Sequence, residues 1–84
     1  MNNKILIELI VPDIEKTYTI FIPLNKKIGN VILLLCKSIR ELNNNDNVIS
    51  NNACLYNRET NEIYTPNQLV KDSTIKSGTT LILM

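Results

Sequence analysis

The hydrophobic pattern of this 84-residue chain predicts an α+β fold, a sheet of four to five strands with one main helix packed on one face. Three observations carry that expectation. Both ends of the chain alternate their side chains at the two-residue period of a strand. Between them, residues 28–42 repeat aliphatics at the three-and-four spacing of an amphipathic helix. An asparagine-rich stretch at 43–47 and 51–52 then separates the helix from the later strands, because asparagine satisfies its own backbone locally and populates turns. A sheet and a helix with one apolar side each are closed by burying one layer on the other.

Taken in order, Ile5, Ile7, Leu9 and Val11 share one face of the first strand, and Leu6, Glu8 and Ile10 share the other. Pro12 fixes a dihedral and Asp13 bonds its own backbone, so residues 12–15 form a turn. So short a connection makes the second strand, 16–22, antiparallel to the first. It sorts Tyr18, Ile20 and Ile22 from Thr17, Thr19 and Phe21. Residues 23–27 leave the sheet, with Asn25 as the candidate helix cap. In the helix, Ile28, Val31, Ile32, Leu35, Ile39 and Leu42 form the inward stripe, while Asn30, Lys37, Arg40 and Glu41 lie opposite. Leu33 and Leu34 flank the stripe as a secondary patch with two open readings, ordinary surface leucines or a contact with a partner or second copy. A third strand at 53–57, a turn at 58–62 and a brief fourth strand at 63–64 follow. Thr65-Pro66-Asn67 begins a short helical turn that brings Leu69 and Val70 inward. Gly78 supplies a positive φ for the turn at 76–78, and residues 79–84 form the last strand.

Length and composition narrow the function. Eighty-four residues predict one domain spanning 1–84, without room for an interdomain cleft. Nine basic against eight acidic residues leave a net charge of +1, too balanced for the basic stripe that nucleic acid requires. With no histidine there is no imidazole base, no His-ligated metal and no Ser-His or Cys-His nucleophile. Glu8, Asp46 and Asp72 form no carboxylate pair at a predictable distance, and Lys26 and Lys27 read as solvated charges. No catalytic, cofactor-binding or metal-ligating residue is assigned, and no cofactor is expected. Cys36 and Cys54 leave three readings open: buried reduced thiols, a disulfide, or a redox or metal site. The spacing and the missing histidines favour the first. The longest apolar run, 31–36, is far short of a membrane span, so a soluble, cytosolic protein with no direct membrane insertion is expected.

This order of elements resembles the ubiquitin-like proteins. The segment Lys16-Thr17-Tyr18-Thr19-Ile20-Phe21-Ile22, a loop, then Ile28-Gly29-Asn30-Val31 looks like the second strand and helix entry of that superfold. The run from Gln68 to Leu83 is similar to its closing segment, with Leu69, Ile75, Leu81 and Leu83 as core residues. Within the superfold, three features are similar to the YukD/EsaB family, small cytosolic components of the type VII (ESX/Ess-like) secretion systems of Firmicutes. They are the aliphatic helix, Leu55-Tyr56-Asn57-Arg58 before a loop and Ile63-Tyr64, and the Ile-x-x-Gly-x-x-Leu pattern at Ile75, Gly78 and Leu81. The resemblance implies a β-grasp with a mixed sheet, its first and last strands parallel at the centre. It further implies a non-catalytic accessory or regulatory module whose partners are proteins, secretion-system components among them. The alternative is a ubiquitin-like sulfur carrier or protein modifier. Those resemble this fold but end in a flexible Gly-Gly, whereas Leu81-Ile82-Leu83-Met84 is bulky, which disfavours that reading. A recognition domain of a larger protein is a third reading.

On that arrangement the helix covers one sheet face, and the other should alternate polar. Instead Leu6, Ile10, Phe21, Ile82 and Met84 point outward with Tyr56 beside them, diluted by Glu8, Thr17 and Thr19. Scattered surface hydrophobes are one reading; the number on one open face favours a protein-binding patch. A second copy of the chain is among the partners such an apolar surface could take.

Overall fold

The structure, a computed structural model, describes residues 3–45 and 47–84. Asp46, placed in the asparagine-rich loop by its sequence, lies outside them. Strand β1 (Lys4–Val11) turns through a 3-10 segment, Pro12–Ile14, into β2 (Lys16–Pro23); helix α1 (Ile28–Asn43) follows, then β3 (Leu55–Asn57) and β4 (Thr80–Leu83). Glu15 closes the first turn in a left-handed conformation with φ 53°, its N–H donating to the Pro12 carbonyl.

The four strands lie in the order β2-β1-β4-β3. β1 pairs β2 antiparallel along its whole length and β4 in parallel, with Leu9 opposite Leu81; β3 pairs β4 antiparallel. The first and last strands thus hold the centre, as the resemblance implies. Period-two alternation puts Ile7, Leu9 and Val11 of β1, Leu55 of β3, and Leu81 and Leu83 of β4 under α1, each at most 1% exposed. Ile28, Val31, Ile32, Leu35, Cys36 and Ile39 meet them from the helix. Each of these aliphatic side chains contributes roughly 1.5–3 kcal/mol by leaving water.

Several details differ from the sequence reading. Leu42, assigned to the inward stripe, is 67% exposed. By the last turn the helix has reached the sheet's edge. There Asn43 faces β2, accepting from Lys16 Nζ at 2.8 Å and donating to Tyr18 Oη at 3.3 Å. Arg40, opposite the stripe as expected, also holds a loop that the periodicity does not mark: its guanidinium donates to the Ile49 carbonyl (2.8 and 3.1 Å) and to Asn51 Oδ1 (2.7 Å). That clamp seats Ile49, a buried residue that no periodicity marks. Asn44 ends the helix with φ 50°, the conformation its side chain tolerates best after glycine.

Asn25 does not cap the helix. The N-cap is Lys27, with no side-chain cap, and the first-turn donors are satisfied by backbone instead. Ile28 N–H donates to the Gln68 carbonyl (2.8 Å) and Gly29 N–H to the Pro66 carbonyl (2.9 Å). With those carbonyls committed, 65–67 forms a turn, and the short 3-10 helix falls later, at Val70–Asp72. The two segments run side by side, Val70 N–H reaching the Lys26 carbonyl and Lys71 N–H that of Leu24. The approach is tight at Gly29: a Cβ there would lie 3.0 Å from Pro66 Cβ and 3.2 Å from its carbonyl oxygen, so Pro66 would have to give by a few tenths of an ångström. Gly29→Val should therefore force the 66–68 strap away and lose about 1–3 kcal/mol in urea unfolding. An unchanged midpoint and slope would contradict the strap's role.

Candidate protein-docking face

The side of the sheet away from α1 carries the even-numbered residues of β1, the odd-numbered ones of β2, and Tyr56, Thr80 and Ile82. Strand register arranges them in rows. Ile10 stands opposite Ile82 across the parallel pair, Ile82 opposite Tyr56, and Tyr56 opposite Ile63 through an isolated bridge. One step away, Glu8 stands between Thr19 and Thr80. Beyond that, Leu6 faces Phe21. The six residues the sequence assigned to the face are all on it, but not as one patch. A polar band of Thr19, Glu8 and Thr80 divides the Leu6–Phe21 pair from the row running Ile10, Ile82, Tyr56, Ile63.

Burial varies within the set. Leu6, Phe21 and Met84 are exposed, Phe21 by 60%, whereas Ile10, Tyr56 and Ile82 are half-buried by their neighbours. Ile63, 59% exposed, extends the row and was not assigned to it from sequence. The signal was present in the short turn from Tyr56 to Ile63, whose bridge puts both on one face. Leu33 and Leu34 are exposed on opposite flanks of α1 and do not meet this face.

A buried polar cluster fixes β3 and the Ile63 segment. Asn57 is 8% exposed, with Nδ2 donating to Tyr64 Oη (3.1 Å) and Oδ1 accepting the N–H groups of Glu59 and Thr60. Tyr64 Oη also bonds Thr74 Oγ1 (2.8 Å), which donates to Glu62 Oε1 (2.7 Å). Backbone bonds from Asn57 N–H to the Glu62 carbonyl and from Tyr64 N–H to that of Leu55 complete the pairing. The side-chain amide folds the 58–62 turn, and the turn sets Ile63 beside Tyr56.

The thiols differ from the expectation of two buried cysteines. Cys36 is buried in the core, but Cys54 is exposed. It continues β3 by one residue, pairs its backbone with Met84 (2.8 and 3.2 Å), and with Leu55 inward must face out. Burial pushes the Cys36 thiol above its ordinary value of 9.0, against the opposing pull of the Arg40 charge. Cys54, Ile63, Leu33 and Gly29 also border a groove of about 810 Å³ between α1 and the 51–54 and 63–67 segments. Among the described residues no cluster of three His, Cys, Asp or Glu side chains could hold a metal ion, and no helix is long and apolar enough to cross a membrane.

No protein-family model and no curated protein matches this sequence. Solved structures do match its fold. A chain from a structure on molecular mimicry of SUMO promoting DNA repair aligns with TM-score 0.76 at 13% identity, over 100% of this chain and 94% of that one. A component of the MycP5-free ESX-5 inner membrane complex aligns with TM-score 0.77 at 9% identity; 99% of this chain spans 21% of that one. A ubiquitin-like domain from Arabidopsis thaliana aligns with TM-score 0.68 at 13% identity, over 99% of this chain and 78% of that one. The mixed four-stranded sheet with its single helix is the ubiquitin-like β-grasp fold, an α+β architecture.

Tyr64→Phe removes the partner of the Asn57 amide and should cost about 1–3 kcal/mol in chemical denaturation; a cost near zero would show that water replaces the hydroxyl freely. Thiol titration in native buffer should find Cys54 reacting at once and Cys36 only on unfolding. The core accepts the neutral Cys36 thiol, so its stabilisation is intact below pH 9.0 and fades as pH rises through the higher folded-state value. Two fast thiols at pH 8 would contradict this.

Proposed function

We propose that residues 1–84 form one non-catalytic ubiquitin-like protein-interaction module. It acts as a cytosolic accessory or regulatory component of a type VII secretion system, in the manner of the YukD/EsaB family. The observation that carries the interaction role is the uncovered apolar row of Ile10, Ile82, Tyr56 and Ile63, extended by Met84, on a sheet with one helix. Apolar area of that kind, rimmed by Glu8, Thr17 and Thr80, has the core-and-rim composition of a protein interface. Leu6 and Phe21, across the polar band, supply a second contact on the same face. The secretion assignment is supported by the resemblance of the helix and closing segment to that family. The shared fold with an ESX-5 inner membrane component also supports it. The partner in this reading is a protein of the secretion apparatus, held by the half-buried centre of the row.

The tagged chain, expressed in its native cell, should co-purify components of a type VII secretion apparatus. The Ile82→Asp, Met84→Lys double variant should reduce their recovery by about tenfold or more, the loss that charge at a desolvated interface centre brings. Circular dichroism establishes that the variant is folded. Undiminished recovery with folded variant would refute the docking role of the row.

A further inference from the structure

We propose that the outer edge of β2 is a self-association surface, through which two copies of this chain pair their β2 strands antiparallel about a two-fold axis at Thr19. β2 is an eight-residue strand with a neighbour on one side only. The opposite edge of the sheet is already closed, since the segment from Glu62 to Tyr64 pairs along β3. The phase of the free edge follows from the β1 ladder. Leu24 N–H bonds the Asn3 carbonyl at 2.6 Å, so in the same register Ile22, Ile20 and Tyr18 turn their backbone groups to β1. Thr17, Thr19 and Phe21 turn theirs outward, where no other strand of the described residues meets them. Edge strands in stable monomers are usually short, bulged or interrupted by charge. This one is long and regular, with no charged side chain from Thr17 to Ile22.

What fits this edge is the edge itself. Centred on Thr19, an antiparallel copy sets Thr17 opposite Phe21 and Thr19 opposite Thr19, and every outward N–H meets an outward carbonyl. A centre one residue later would spend pairings on Pro23, which has no N–H. The centred register opposes no like charges: Lys16 falls opposite Ile22 of the copy. The flanks are apolar as well. Phe21 is 60% exposed on one side of the edge. On the other, Leu34 and Leu42 are 52% and 67% exposed, one on either side of Ser38 along the same flank of α1. A groove of about 220 Å³ runs between Leu34, Ser38 and β2, floored by Ile20, Ile22 and Leu35. In the pair, each groove opens onto its counterpart, and Leu34 and Leu42 gain apolar neighbours. The axis is perpendicular to the sheet, so both docking faces lie on the same side of one continuous sheet. The pairing does not depend on what those faces bind.

Cross-linking reads the register directly. In a Cys54→Ser background, Thr19→Cys should form a covalent dimer under a mild thiol oxidant, because directly opposed residues lie within disulfide reach. Thr17→Cys alone should not; mixed with Phe21→Cys, it should form a heterodimer. Sedimentation of the unmodified chain should show a concentration-dependent monomer–dimer equilibrium, weakened at least about tenfold by Phe21→Lys, the charge that natural edges carry. A chain monomeric to about 1 mM overturns the proposal, as does a dimer indifferent to Phe21→Lys. Equal cross-linking of Thr17→Cys and Thr19→Cys, each alone, also overturns it. All three positions are exposed, so circular dichroism suffices to confirm that the variants are folded.

Discussion

The parallel pairing of β1 with β4 joins the two ends of the chain in the middle of the sheet, and every other element takes its place from it. β2 and β3 become the edges, each antiparallel to the central strand it adjoins. The crossover between the central strands must contain α1, and that single helix covers one side only. Leu9 and Leu81 meet beneath it, both wholly buried. On the reverse side the same register sets Ile10 against Ile82, with nothing folded over them. The open apolar face and the buried core are two readouts of one strand pair.

Polar groups are satisfied across neighbouring segments in a chain with little core to spare. The helix start takes its acceptors from the backbone of the 66–68 strap, which packs closely over Gly29. Arg40 reaches over the loop that seats Ile49, and Asn57 with Tyr64 organises the turn behind β3. Among the described residues no buried side-chain nitrogen or oxygen is left without a partner.

Most of the architecture was legible because it rests on periodicity. The alternation in β1, β2 and β4, the stripe from Ile28 to Ile39, the left-handed asparagine after the helix and the positive φ of Gly78 each follow from local chemistry. The misplacements fall where tertiary contacts decide. Leu42 satisfies the helical period but lies where the sheet has ended. Arg40 is polar and opposite the stripe, yet the loop it clamps is invisible to a helical wheel. Asn25 is a sound cap by type and was displaced by carbonyls forty residues away. On the candidate face, the six assigned residues were legible by parity. The polar band that divides them emerges only from register, because Glu8 gains its meaning from Thr19 on one side and Thr80 on the other.

The central pairing also bears on how the molecule is made. Leu9 waits for Leu81, so all of the intervening chain must be synthesised before the sheet can close. Until then a nascent hairpin and its helix stand beside a vacant middle position, with the inner border of β1 bare. Closing so long a loop is costly in entropy, and contacts this distant slow folding relative to helical bundles of equal size. The β4 residues, made long after β1, are those that shield that border.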